Sequence, residues 1–153
     1  VKCKCGKYGC LEALASGHRI ASLGKNALKK KDAKILQNLS EGNANLISAE
    51  LVGKAAKQGD NRSLEIYDII TEYLAHGIGN LANLLNPEIV YIGGGISLNG
   101  QFFFDLINSK ISNYLLSPNQ GLKIQPSTFG EQATSIGAVS LVLEKIMNLE
   151  LEK

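Results

Sequence analysis

Residues 86–95, Asn-Pro-Glu-Ile-Val-Tyr-Ile-Gly-Gly-Gly, constrain the fold more than any other stretch. Pro87 disfavours helical geometry at Asn86, so the helical pattern before it must end there. Glu88-Ile89-Val90-Tyr91-Ile92 is rich in β-branched side chains and reads as a short buried strand. Gly93-Gly94-Gly95 turns the chain at once. Ser97 can cap a following helix whose apolar face is Phe102, Phe103, Leu106, Ile107, Ile111 and Leu115. Beyond a turn at 117–121, Leu122-Lys123-Ile124-Gln125-Pro126 alternates as a second strand, and 135–149 reads as a last amphipathic helix. Strand, helix, strand, helix in this order implies a parallel β/α layer over 88–148. A parallel sheet needs both faces covered, and two strands are few for the helices that precede them.

Those helices are legible from spacing. A pattern over 11–23 places Leu11, Leu14, Ala15, Ile20 and Leu23 on one face, with Gly17 as a soft spot. Lys25, Lys29, Lys30, Lys31 and Lys34 follow, interleaved with Ala27, Leu28, Ala33, Ile35 and Leu36. That reads as a solvated helix face, with a phosphate or nucleic-acid patch as the alternative. Ser48 is an N-cap candidate, and Gly59 separates its helix from the next, which Asp60 or Asn61 opens. The long helix at 62–85 carries Leu64, Tyr67, Ile70, Leu74, Ile78, Leu81 and Leu85 at helical spacing. Gly77 and Gly79 sit inside it, each costing roughly 1 kcal/mol against Ala. Close helix packing explains them better than a ligand does.

All three cysteines, Cys3, Cys5 and Cys10, fall in the first ten residues. An odd cluster at one end is a poor disulfide framework. The C-x-C-x4-C spacing, with Gly6 and Gly9 between, lets three thiolates converge and supplies three corners of a tetrahedral zinc site. The fourth corner is open: His18 and His76 are the only histidines, and His18 falls on the next helix. Three unmetallated thiols are the other reading.

With 153 residues, 44% of them hydrophobic, the chain can bury a core without staples. A net charge of +2 is too small to argue for nucleic acid or an anionic membrane. No apolar run approaches a membrane span, and the expected location is cytoplasmic. The glycine triplet stands at the C-terminal edge of a parallel strand, where open α/β folds bind ligands, though a tight turn reads equally well locally. Neither G-x-G-x-x-G nor G-x-x-x-x-G-K-[ST] is present.

Cys3-Lys4-Cys5-Gly6-Lys7-Tyr8-Gly9-Cys10-Leu11-Glu12 matches C-x-C-G-x-x-G-C-x-E, and with this motif the chain resembles the ROK family of repressors, open reading frames and sugar kinases. Ala15-Ser16-Gly17 continues the likeness. Ala55-Ala56-Lys57-Gln58-Gly59-Asp60 resembles the family's A-A-x-x-G-D. Residues 84–95 resemble its N-P-E strand and G-G-G turn, and 130–143 resemble its C-terminal helix. The resemblance runs in order over nearly the whole chain.

It implies an α/β fold, part of an actin-like ATPase (ribonuclease H-like) domain, helix-rich with a short parallel sheet. The chain, 1–153, then corresponds to the C-terminal part of such a protein, with the zinc loop and the start of the following helix at 1–16 and the N-terminal domain absent. It further implies structural zinc on Cys3, Cys5 and Cys10, sugar contact by Glu12, and a nucleotide bordered by Gly93, Gly94 and Gly95. A carboxylate accepts at both oxygens and suits sugar hydroxyls. Without the motif, Glu12 would read as a solvated residue in a helix's first turn.

The histidine that precedes the first Cys in the family, its phosphate loops, its catalytic aspartate and its E-x-G-H motif have no counterpart here. The expected function is the C-terminal half of an ATP- and Mg-dependent hexose or N-acetylhexosamine kinase, inactive by itself. The alternative is the sugar-effector half of a ROK repressor, with nucleic acid as a partner only in that case. A homo-oligomer and an exposed sheet edge are expected in either case.

Overall fold

The computed structural model describes residues 1–151, with no side chain described for Glu131 or 148–151. Its helices are α1 (Leu11–Ala15), α2 (Gly17–Lys30), α3 (Lys34–Leu39), α4 (Ala49–Lys57), α5 (Asn61–Leu85), α6 (Gln101–Ile111) and α7 (Ala133–Leu151). Its strands, β1 (Ile89–Ile92) and β2 (Lys123–Pro126), pair in parallel, Ile89 opposite Lys123 and Ile92 opposite Pro126. The helix-rich α/β architecture with a short parallel sheet is as the sequence implies.

Differences from the sequence reading are local and have physical causes. The pattern at 11–23 is two helices. Ser16 is extended (φ −90°, ψ 165°) and its hydroxyl accepts the Arg19 amide at 3.2 Å, so it caps α2 and breaks it from α1. Gly17 is therefore the first residue of α2. Ser97 does not cap α6: it lies in a 3-10 turn, Gly95–Asn99, and donates to the Gly94 carbonyl at 2.7 Å. Gly100, at φ +66°, leads into α6 instead. β1 is not buried. Ile92 and Val90 face the core, but Tyr91 is 60% exposed. The sheet has one covered face and, among the described residues, no third strand on either edge. α7 is not amphipathic against the core either, since Val139, Leu141, Val142, Leu143 and Ile146 are all exposed.

α5 is the spine of the core. Ile66, Tyr67, Ile70, Ala75 and Ala82 are buried along it, and α6 contributes Phe103, Phe104 and Ile107. Its glycines serve packing. A Cβ on Gly77 would stand 2.9 Å from the Leu11 Cδ2, and one on Gly79 would stand 2.5 Å from the Tyr114 Cβ. Asn86 ends α5 in the left-handed region (φ +48°), which releases the chain into Pro87 and β1.

Asp60 ties the N-terminal helices together. It is 4% exposed. One carboxylate oxygen accepts the Ser63 amide at 2.9 Å and caps α5. The other accepts the Ile35 amide at 2.9 Å and the Leu36 amide at 3.4 Å, capping α3, whose own N-cap Ala33 has no acceptor. One side chain thus satisfies two helix starts, each worth about 1 kcal/mol. Asp60→Ala is expected to lower unfolding free energy by about 2 kcal/mol in urea denaturation, with Asp60→Asn losing less; an unchanged midpoint would contradict the double cap.

Candidate functional site

The cysteine loop is a tight antiparallel turn. Lys2 bridges Tyr8, the Cys3 amide donates to the Lys7 carbonyl at 2.8 Å, and the Gly6 amide donates to the Cys3 carbonyl at 3.0 Å. Gly6 (φ +89°) and Gly9 (φ +75°) hold left-handed conformations that other residues adopt at a cost. This backbone brings the three sulfurs within 4.8 Å of one another, with Cys5 and Cys10 Sγ at 3.6 Å. Zinc–sulfur bonds of about 2.3 Å in a tetrahedron put sulfurs about 3.8 Å apart, so the three donors fit three corners of such a site. No histidine or carboxylate joins the group among the described residues. His18 lines an adjacent cavity of about 450 Å³ together with Cys3 and Glu12.

The Cys5 and Cys10 thiols share a hydrogen bond. The Cys5 thiol is held below its ordinary pKa, first by the Lys7 backbone and then by its cysteine neighbours. The Cys10 thiol is pushed up to about 11, chiefly by its hydrogen bond with Cys5.

Glu12 follows two residues after Cys10, in the first turn of α1, exposed and with no protein hydrogen-bond partner among the described residues. Its neighbour Leu11 lies on the bare backbone of Gly77, which fixes α1 against α5.

The glycine triplet divides its roles. Gly93 packs near the Gly130 carbonyl (3.5 Å from an added Cβ), and the Gly94 amide donates to that carbonyl at 3.4 Å. Gly94 also needs its glycine, at φ +78° and ψ −178°. Only Gly95 opens onto the cavity that also holds Glu12. That cavity, about 780 Å³, lies between the start of α2, the start of α4 and the 3-10 turn after β1. The fold thus brings Glu12 and Gly95 together across 83 residues of chain.

Sequence reasoning missed the cavity's other ionisable members, His18, Lys25 and Glu50. His18, Ala21 and Lys25 recur at helical spacing on one face of α2, a signal present in the sequence. Glu50 carried none: only the packing of α4 on α2, where an added Cβ on Gly17 would meet the Ala49 Cβ at 3.7 Å, brings it near. Apolar Ala21, Ile47, Ile96 and Leu98 complete the walls. A cavity with apolar walls, two carboxylates for hydroxyls and a glycine turn for close approach can hold a polyol beside a flat, phosphate-bearing ligand.

Comparison with known proteins fits this geometry. The sequence profile of the ROK family matches residues 1–145. A glucokinase of Thermotoga maritima is 34% identical over 145 residues, covering 94% of this chain and 45% of that protein. A xylose repressor of Caldicellulosiruptor bescii is 28% identical over 147 residues, covering 95% of this chain and 36% of that protein. Among solved structures, a ROK family glucokinase from Streptomyces griseus in complex with glucose and AMPPNP superposes with a TM-score of 0.82 at 26% identity, over 92% of this chain and 46% of that one. The chain spans less than half the length of these relatives.

Binding of zinc by these thiols would displace protons, so its affinity would rise with pH. Zinc titration of the purified chain against a competing chelator should show at least tenfold tighter binding at pH 8 than at pH 6, and Cys10→Ser should weaken binding and make that pH dependence shallower. Affinity flat across that range would contradict a thiolate site.

Proposed function

Because the chain belongs to the ROK family and has the actin-like ATPase fold of its sugar kinases, we propose that it is the C-terminal half of an ATP-dependent sugar kinase acting on a hexose or N-acetylhexosamine. The observation that carries this reading is the shared cavity of Glu12 and Gly95. In the proposal, the Glu12 carboxylate accepts hydrogen bonds from sugar hydroxyls and the Gly93–Gly95 turn borders the nucleotide. The turn's lack of Cβ atoms and Gly94's φ of +78° support close ligand approach there. Of the triplet, Gly95 would touch the nucleotide, while Gly93 and Gly94 would hold the turn.

Zinc on Cys3, Cys5 and Cys10 would supply rigidity rather than chemistry. It would cross-link the loop two residues before Glu12 and so restrict where that carboxylate points. Mg would accompany the ATP phosphates. Phosphoryl transfer needs a base for the sugar hydroxyl and groups that neutralise the phosphates. Neither role falls to a residue of this chain, so in this proposal the 153 residues bind but do not turn over. The cytoplasm, where ATP is available and thiols stay reduced, suits a protein with three free cysteines. No helix among the described residues is long and apolar enough to cross a membrane. A homo-oligomer is part of the proposal, supported by exposed Ile69, Tyr73 and Leu84 on α5.

The xylose repressor relative favours a second reading, the effector-binding half of a ROK repressor, whose DNA contacts would lie outside this chain. Nucleotide binding separates the two: the kinase half binds AMPPNP, and the repressor half binds sugar alone. Calorimetric titration of the purified chain should detect both glucose and AMPPNP, and a coupled assay should detect no ADP formation. Glu12→Gln should weaken glucose binding about 10- to 100-fold and leave AMPPNP unchanged. Turnover by this chain would overturn its proposed inactivity, and an unaffected sugar affinity would remove Glu12 from the site.

A further inference from the structure

The five lysines that follow the middle of α2 do not share one environment. Lys29, Lys30, Lys31 and Lys34 are exposed, whereas Lys25 is half-buried and lines the cavity of Glu12 and Gly95. Its place along that cavity follows from helix geometry. Gly17, at the start of α2, lies against Ala49. Gly24, two turns on, packs against Val52 and Ile47, where an added Cβ would stand 2.6 Å and 3.0 Å away. Lys25 lies on the same face as His18, about 10 Å farther along the axis. Glu12, His18 and Glu50 therefore mark one end of the cavity, and Lys25 with Ile47 marks the other.

The two ends differ in chemistry. The near end has two carboxylates and an imidazole. At the far end Lys25 brings the one charge among the described lining residues there, beside half-buried Ala21 and the rim of Ile47, of which 4% stays exposed. A phosphate needs several converging donors, which a single ammonium on an aliphatic wall does not provide. A purine base needs what this end offers. Aliphatic surface covers its face, and one cation either donates to a ring nitrogen or rests over the π system.

On the kinase reading, which this inference rests on, the sugar sits at Glu12 and the γ-phosphate beside it. The base is then the part of ATP that extends farthest from Glu12. We infer that Lys25 is a nucleotide-binding residue that holds the base of ATP at the far end of the cavity. The other lysines of the run remain a solvated face.

Adenosine, which has a base and no phosphate, is the probe. In the wild-type chain, an amide chemical-shift titration with adenosine should move the amides of Ala21 to Lys25 together with those of Gly93 to Gly95. By calorimetry, Lys25→Met should weaken adenosine binding about tenfold, Lys25→Arg should retain most of it, and Lys29→Met on the same helix should change nothing. Shifts at Gly93 to Gly95 without shifts at Ala21 to Lys25, or adenosine affinity unchanged by Lys25→Met, would overturn the inference and leave the kinase reading standing. Weakened AMPPNP binding with unchanged adenosine binding would assign Lys25 to the phosphates and overturn its role at the base. Absence of any binding of adenosine and AMPPNP would overturn both.

Discussion

Leu11 rests on the bare backbone of Gly77, and that contact sets where Glu12 can be. An added Cβ at Gly77 would stand 2.9 Å from the end of the leucine side chain, so the glycine lets α1 seat closely against α5, with the 41%-exposed leucine free to adjust. Immediately before Leu11, the cysteine loop closes on itself through Gly6 and Gly9. The carboxylate is thus bracketed by a packed leucine on one side and a thiol cluster on the other. Gly79 plays the matching part for the other half of the fold, admitting Tyr114 beyond α6. α6 is in turn tethered to α5 by Lys110, which pairs with Asp68 at 2.5 Å and Glu72 at 3.3 Å, and by the Tyr114 hydroxyl, which hydrogen-bonds Glu72. The two glycines cost intrinsic helix stability, and the close approaches they permit fix α1 and α6 on one spine.

From that spine the cavity follows. α2 and α4 pack through Gly17 and Gly24, and the turn after β1 closes the third side. The ionisable groups that line the cavity are few: Glu12, His18 and Glu50, with Lys25 about 10 Å farther along α2 than His18. Elsewhere the chain leaves apolar surface bare: one face of the sheet at Tyr91, and α7 from Val139 to Ile146. The chain spans less than half the length of its relatives.

Much of this was legible in the sequence, for reasons that can be stated residue by residue. Pro87, the β-branched run and the glycine triplet fixed the β1 turn because each acts locally. Ser48 and Asp60 announced helix starts by their short acceptor side chains, although only the fold reveals that Asp60 serves α3 as well. The cysteine spacing carried the thiol cluster because all three donors lie on one loop. What stayed hidden was non-local. The break at Ser16 looked like one continuous apolar stripe, since both helices keep the same spacing across it. The exposure of Tyr91 and of α7 depends on what packs over them, which periodicity does not encode. Lys25 was lost in a charge run, and Glu50 had no motif; their place at the cavity comes from packing between α2 and α4.

In the proposed function, Glu12 and the glycine turn serve one cavity, so that sugar and nucleotide would bind side by side. Paramagnetic broadening tests this most directly. Glucose proton linewidths would be measured on the purified chain with Mn²⁺ and AMPPNP, for wild type and Glu12→Gln. Adjacent binding predicts strong, distance-dependent broadening of the glucose signals in the wild type that disappears with Glu12→Gln. Glucose that binds the wild type and stays sharp while Mn²⁺ and AMPPNP are bound would contradict the account, because the two ligands would then occupy separate sites.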